Sequence, residues 1–176
     1  MASKSYKEEL KNITTFIFDV DGVLTDGTIQ VTTSGEMYRT MHTKDGYALK
    51  TAVDKGYNIC IISGGSNEGV RLRLAGLGIE DIHLGAHNKI EAFEAYLKEK
   101  QITKEQVLYM GDDLPDLPVM QLVGLATCPQ DAVNEIKSIA HYVSHKAGGK
   151  GAVRDVIEQV LKVNNDWQGN HNAKYD

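Results

Sequence analysis

A chain of 176 residues with 41% hydrophobic and 24% charged side chains has the length of one domain and can bury a core without staples. A formal charge of -5, with no long Lys/Arg run, excludes the electrostatic footprint of a nucleic-acid-binding protein. Cys60 and Cys128 are too few for a disulfide framework or a cysteine metal site; no apolar run is long enough to span a bilayer or form a signal-peptide core, so no membrane partner and a cytoplasmic location are expected.

The first element in chain order is "TTFIFDV", residues 14–20, where Phe16-Ile17-Phe18 has the character of a strand covered on both faces. It ends in Asp19 and Asp21, which alternation along an extended chain projects to one side. Two acids held together are unfavourable unless something positive lies between them. Next, "TIQVTTSGEMYRTMHT" reads as strand, polar turn at Thr33-Ser34-Gly35, strand: a β-hairpin flap over about residues 28–43. Helical stretches at 45–55, 66–77, 88–100, 114–122, 131–138 and 151–163 then alternate with strand-like runs at 57–63, 81–85, 106–113, 123–128 and 140–144. In "NKIEAFEAYLKEK", Ile90, Phe93 and Leu97 mark one apolar face with charges opposite. Strands alternating with single helices predict right-handed crossovers and an α/β fold: a Rossmann-like, mostly parallel sheet with helices on both faces. Ligands then bind beyond the carboxyl ends of the strands, a rule that sets Asp19, Ser63, Gly85 and Gly111-Asp112-Asp113 along one rim. The domain is expected to run over 1–163, and the polar stretch 164–176 has the composition of a floppy terminus.

"GDDLPD" follows the apolar strand "VLYM", so Asp112, Asp113 and Asp116 gather at the same rim as Asp19 and Asp21. Acids from two strand ends are what a hard divalent cation requires, and Mg²⁺ is held by one or two carboxylates, waters and a substrate phosphate. Asp113 or Asp116 alone also fits a helix cap; Asp19 and Asp112, each ending a buried strand, do not. Phosphoryl transfer further needs donors around the equatorial oxygens. "IISGGSNEG" supplies Ser63 and the flexible Gly64-Gly65 before a helix, although Ser-Gly-Gly is also a common turn. Lys89 opens a helix, where the dipole mildly disfavours a cation unless a phosphate lies nearby; a solvated lysine is the plainer reading.

Asp19-x-Asp21-Gly22-x-Leu24-Thr25, Ser63, Lys89 and Gly111-Asp112-x-x-x-Asp116 together resemble the four motifs of the haloacid dehalogenase-type phosphohydrolases. The resemblance implies Asp19 as the nucleophile that forms an aspartyl-phosphate, Asp21 as general acid and base, and Ser63 and Lys89 as phosphoryl-oxygen ligands. It implies Mg²⁺ on Asp19, the backbone carbonyl of Asp21 and Asp112, with Asp113 and Asp116 orienting waters or Lys89 behind them. The intervals from Asp19 to Ser63 and from Lys89 to Asp112 are filled by the elements already read, which leaves no room for a separate cap domain.

"DVDGVLTDG", the hairpin, "HTKDGYALK", "GDDLPDLPVM" and "AGGKGAVRDVIE" are similar to the 3-deoxy-D-manno-octulosonate 8-phosphate phosphatases of that superfamily. This implies a small sugar-acid phosphate as substrate, a step in lipopolysaccharide biosynthesis, and a homotetramer in which each hairpin covers a neighbour's site and the tail reaches into an active site. It makes His42, Thr43, Lys44, Asp45 and Gly46 candidates for substrate contact across a subunit boundary, and Gly64 and Arg73 further substrate-binding candidates. Thr43 or Asp45 equally suits a helix N-cap, and "GGKG" a simple loop. Many members carry Arg where this chain has Gly65, and nine-carbon relatives tend to carry Glu, so an eight-carbon acid is expected, with a nine-carbon ulosonate 9-phosphate or another small sugar phosphate as the alternative. A non-catalytic, receiver-like Mg²⁺-binding module is the alternative of another class; Lys89 together with an intact Asp21 argues against it.

Overall fold

The computed structural model describes residues 5–167. A short helix α1 (Tyr6–Glu9) and a 3-10 turn lead into β1 (Thr15–Phe18), followed by the two-residue strands β2 (Gln30–Val31) and β3 (Met37–Tyr38) of the hairpin. Then come α2 (Thr43–Asp54), β4 (Asn58–Ser63), α3 (Glu68–Gly76), β5 (Asp81–Leu84), α4 (Lys89–Lys100) and β6 (Val107–Met110). A 3-10 turn (Leu114–Asp116) runs into α5 (Leu117–Met120), and β7 (Leu125–Cys128), α6 (Asn134–Ile139), β8 (Tyr142–Val143) and α7 (Ala152–Val163) complete the chain.

Six strands form one sheet in the order β5-β4-β1-β6-β7-β8, every pair parallel. The expected α/β architecture, with its separate hairpin, is therefore the one observed. β1 lies at the centre, with Phe16 in register with Ile59 on β4 and Leu108 on β6. The chain builds outward from β1 to β4 and β5, then returns to build the other half, so the end of β1 faces the crevice where strand order reverses. Alternation sorts each strand between two cores. Phe16, Phe18, Ile61, Leu108 and Met110 pack with α2, α3 and α7; Ile17, Cys60, Ile62 and Tyr109 pack with α4, α5 and α6. Cys60 is a fully buried hydrophobe whose thiol burial holds well above its ordinary pKa, as its apolar run predicts. Among the described residues, no helix is long and apolar enough to cross a membrane.

Two expectations are corrected. The stretch 114–122 is not one helix: Pro115 and Pro118 stand at the first turns of two separate pieces, a 3-10 turn and a four-residue helix, because proline lacks the amide that would continue a helix. The start of the polar tail is tied down. Asp166 accepts a hydrogen bond from the Tyr57 hydroxyl at 2.8 Å, and the Trp167 ring lies 5.4 Å from the Arg154 guanidinium and edge-on to Tyr47. The expectation that the tail enters an active site falls on 168–176, outside the described residues.

"GGKG" is more than a simple loop. A Cβ on Gly148 would sit 1.8 Å from the Gly22 carbonyl oxygen, and Gly149 donates its amide to the Val23 carbonyl at 2.9 Å. This glycine pair props the turn that follows β1. Gly148→Ala is expected to destabilise the protein by about 3 kcal/mol, the upper end for overpacking against backbone, read as a lowered denaturation midpoint; an unchanged midpoint would show that the turn yields freely.

Candidate active site

Beyond β1 the chain turns sharply through residues 20–27, and Thr25 holds that turn together. Its buried hydroxyl accepts from the amides of Gly22 (3.3 Å) and Gly27 (3.2 Å) and donates to the Val20 carbonyl at 3.4 Å. Asp19 is thereby set at the rim, 8% exposed, with Oδ1 accepting from the Val20 amide at 2.6 Å. Its Oδ2 accepts from Lys89 Nζ at 2.6 Å. Lys89 begins α4 yet turns inward, and the same ammonium donates to Asp116 Oδ1 at 2.7 Å. The anions that offset its unfavourable place at a helix start thus include two carboxylates of the protein itself.

Asp116 is fully buried and fully occupied. Its Oδ1 also accepts from the Tyr109 hydroxyl at 2.6 Å, and its Oδ2 from the amides of Asp112 (3.1 Å) and Asp113 (3.4 Å). Asp113 is exposed and caps the following 3-10 turn, accepting from the Leu114 amide at 2.8 Å. Of the two acids expected behind the metal ligands, Asp116 therefore orients Lys89, while Asp113 organises the turn and lines the site.

Asp19, Asp112 and Asp116 bring carboxylate oxygens within 4.8 Å of one another. Three formal negative charges face one ammonium, an excess of two. Burial, then Asp116, raises the Asp19 pKa to about 6 against the pull of Lys89. Burial, then Asp19 and Asp116, raises Asp112 to about 7. Burial acts to lower Lys89, but Asp19 and Asp116 outweigh it and hold the amine above its ordinary value. Asp112 Oδ1 is buried without a hydrogen-bond partner. Its carboxylate presses on Gly22, where a Cβ would lie 1.9 Å from Oδ2, so only glycine fits. An orphaned buried oxygen, a deficit of two positive charges and an all-oxygen donor set fit a hard divalent cation held by Asp19 and Asp112. Asp116 is already saturated.

Ser63 ends β4, buried, and with Gly64, Gly65 and the four acids Asp19, Asp21, Asp112 and Asp113 it lines a cavity of about 400 Å³ that also takes in Lys89. His42, Thr43, Lys44, Asp45, Gly46 and Arg73 are not brought to this cavity by the fold of one chain. His42 and Lys44 border a separate cleft of about 520 Å³ against α7. Neither Thr43 nor Asp45 caps α2; His42 does, its ring nitrogen accepting from the Lys44 amide at 3.1 Å. Asp45 is buried and reaches α7 instead, accepting from the Arg154 amide at 2.8 Å, and burial raises its pKa. Arg73 lies against Gly46, where a Cβ would be 2.7 Å from its Nη2.

Three residues of the site escape a reading of the sequence. His87 lines the cavity and could have been found, since it lies two positions before Lys89 in the same rim loop. Tyr109 reads only as strand core. Arg39 pairs with Asp21 from the hairpin, and nothing in an exposed two-residue strand signals that reach. The raised acids have a consequence for stability. Their protonated forms favour the folded state, so that contribution is lost as pH rises through about 6 and about 7, where a bound cation takes the protons' place. Millimolar Mg²⁺ is expected to raise the melting temperature by several degrees near pH 8 and far less near pH 5; scanning calorimetry with and without chelator checks this, and a shift equal at both pH values would contradict it.

The comparisons with known proteins agree with this geometry. Residues 75–157 match the family model of the haloacid dehalogenase-like hydrolases. The 3-deoxy-D-manno-octulosonate 8-phosphate phosphatase of Salmonella typhi is 42% identical over 151 residues, covering 86% of this chain and 80% of that protein. The crystal structure of the Yersinia pestis phosphatase of the same name superposes with a TM-score of 0.91 at 35% identity, covering 94% of this chain and 90% of that one. That of the Moraxella catarrhalis phosphatase, in complex with magnesium ion, phosphate ion and a KDO molecule, gives a TM-score of 0.90 at 32% identity, covering 94% and 95%. With its four rim segments assembled as that fold requires, the chain belongs to the haloacid dehalogenase-like hydrolases and, within them, to the 3-deoxy-D-manno-octulosonate 8-phosphate phosphatase family.

Proposed function

We propose that this protein is a Mg²⁺-dependent phosphatase that hydrolyses 3-deoxy-D-manno-octulosonate 8-phosphate to the free sugar acid and phosphate, a step of lipopolysaccharide biosynthesis in the cytoplasm. The observation that carries the proposal is the convergence of Asp19, Lys89, Asp116 and the orphaned Asp112 Oδ1 at one strand rim. Asp19 attacks phosphorus and forms an aspartyl-phosphate while the ester oxygen departs. Asp21 gives that oxygen a proton, then takes one from the water that cleaves the acyl phosphate. Lys89 and Ser63 bind the phosphoryl oxygens, and Asp116 keeps the ammonium in place. Asp19, Asp112 and the Asp21 carbonyl would hold magnesium, which would supply charge neutralisation for the phosphoryl group. A nine-carbon ulosonate 9-phosphate is the second reading, since Gly65 offers no side chain of either kind to select between the acids; kcat/KM for the two side by side decides between them.

Among the described residues the rim has no lid domain, and the hairpin exposes apolar side chains, Val31 at 69% and Tyr38 at 53%, with Ile29 and Met37 beside them. Such a patch suits contact with another copy of the chain. It supports a homotetramer in which His42, Thr43, Lys44 and Gly46 meet substrate across a subunit boundary and Asp45 holds α7 against the α2 terminus that carries them; Arg73 is a further substrate contact, and Gly64 one within the cavity it lines.

Asp19→Asn is expected to lower kcat by roughly 10³-fold or more, and Asp21→Asn by roughly 10²–10⁴-fold, in a Mg²⁺-dependent phosphate-release assay. Substantial turnover by pure Asp19→Asn protein would reveal another nucleophile. A single turnover by the wild type, with stable phosphoprotein, would favour the module that merely accepts phosphate. Sedimentation is expected to show a tetramer that Val31→Asp dissociates with loss of activity; a fully active monomer would refute the shared site.

A further inference from the structure

Asp21 is the acid and base of the proposed reaction, yet neither of its oxygens is free. Arg39 Nε donates to Oδ1 at 2.6 Å and Nη2 to Oδ2 at 2.9 Å, a two-pronged fork on one carboxylate. The Arg39 side chain is 8% exposed and that of Asp21 32%, so the pair is sheltered chiefly on the guanidinium side. Arg39 follows β3 directly and is therefore delivered by the hairpin. The hairpin's other tie to the body is the hydrogen bond from Asn67 Nδ2 to the Met37 carbonyl at 2.9 Å. Gly65 lies against the pair: a Cβ there would sit 3.3 Å from Arg39 Nη2 and 3.4 Å from Asp21 Oδ2, so a side chain at 65 would press on the fork.

The fork turns both oxygens of this carboxylate onto one guanidinium edge, where it competes with the leaving group and the water for them. The same planar fork binds a ligand carboxylate equally well, because its donors match that geometry. The geometry points to Arg39 as a specificity-determining latch: it holds Asp21 until the carboxylate of a sugar-acid phosphate draws the guanidinium away, freeing the acid/base only for substrates with a second anionic group. An ester with a neutral leaving group leaves the fork closed and is turned over slowly even when its phosphate is well bound. The inference rests on the phosphatase reading above.

The test measures kcat and KM for 3-deoxy-D-manno-octulosonate 8-phosphate and for ribose 5-phosphate, whose leaving group is neutral, in the wild type, Arg39→Ala and Arg39→Lys. Arg39→Ala is expected to lose about tenfold in kcat/KM on the acid substrate, chiefly through KM, and to gain severalfold in kcat on ribose 5-phosphate. Arg39→Lys keeps the charge but cannot fork, so it is expected to retain much of the KM for the acid while still gaining kcat on ribose 5-phosphate. Parallel losses on both substrates would overturn the latch and leave Arg39 as a group that only orients Asp21; no change on either would remove it from the reaction. A wild type inactive on the acid substrate but active on ribose 5-phosphate would instead sink the substrate assignment, and the gain in kcat on ribose 5-phosphate reads the latch by itself.

Discussion

The buried ammonium of Lys89, bonded at once to Asp19 and Asp116, is the contact on which the geometry of this site depends. It joins α4, the end of β1 and the turn after β6, three segments far apart in the chain. Taking these charges out of water is expensive, and the arrangement persists because every other valence of Asp116 is filled by Tyr109 and two backbone amides. With Asp116 immovable, Lys89 is immovable, and Asp19 is held with one oxygen on the lysine and one on a backbone amide. As the nucleophile of the proposed reaction, Asp19 would need no reorganisation when the phosphate arrives.

Backbone packing supplies the second half of that rigidity. Gly22 lies under the Asp112 carboxylate, Gly111 under Asp116, and Gly148 against the Gly22 carbonyl, each so close that a single added carbon would collide. The rim is therefore a stack of main-chain contacts with acids set into it. Their mutual repulsion, felt in the raised pKa values of Asp19 and Asp112, is stored by this packing and relieved by a divalent cation.

The open side of the site is built differently. The hairpin is a pair of two-residue strands with exposed apolar side chains, tied to the body by few polar contacts. A rigid acidic floor thus lies below a lightly held flap that contributes Arg39 to the rim.

The sheet, the flanking helices and the acids at the rim were all legible in the sequence. Apolar runs of strand length alternated with stretches of helical period, and Asp19, Ser63, Lys89 and Asp112 each stood just past a strand, where a parallel sheet gathers its ligands. Those features are local: a period or a neighbour along the chain decides them. What the sequence could not disclose were the pairings. That Asp116 rather than Asp113 steadies Lys89, that Asp45 reaches across to α7, and that Arg39 grips Asp21 all depend on groups meeting over long separations. Such meetings are settled by packing and by which buried oxygen still lacks a donor, and those quantities exist only once the chain has folded.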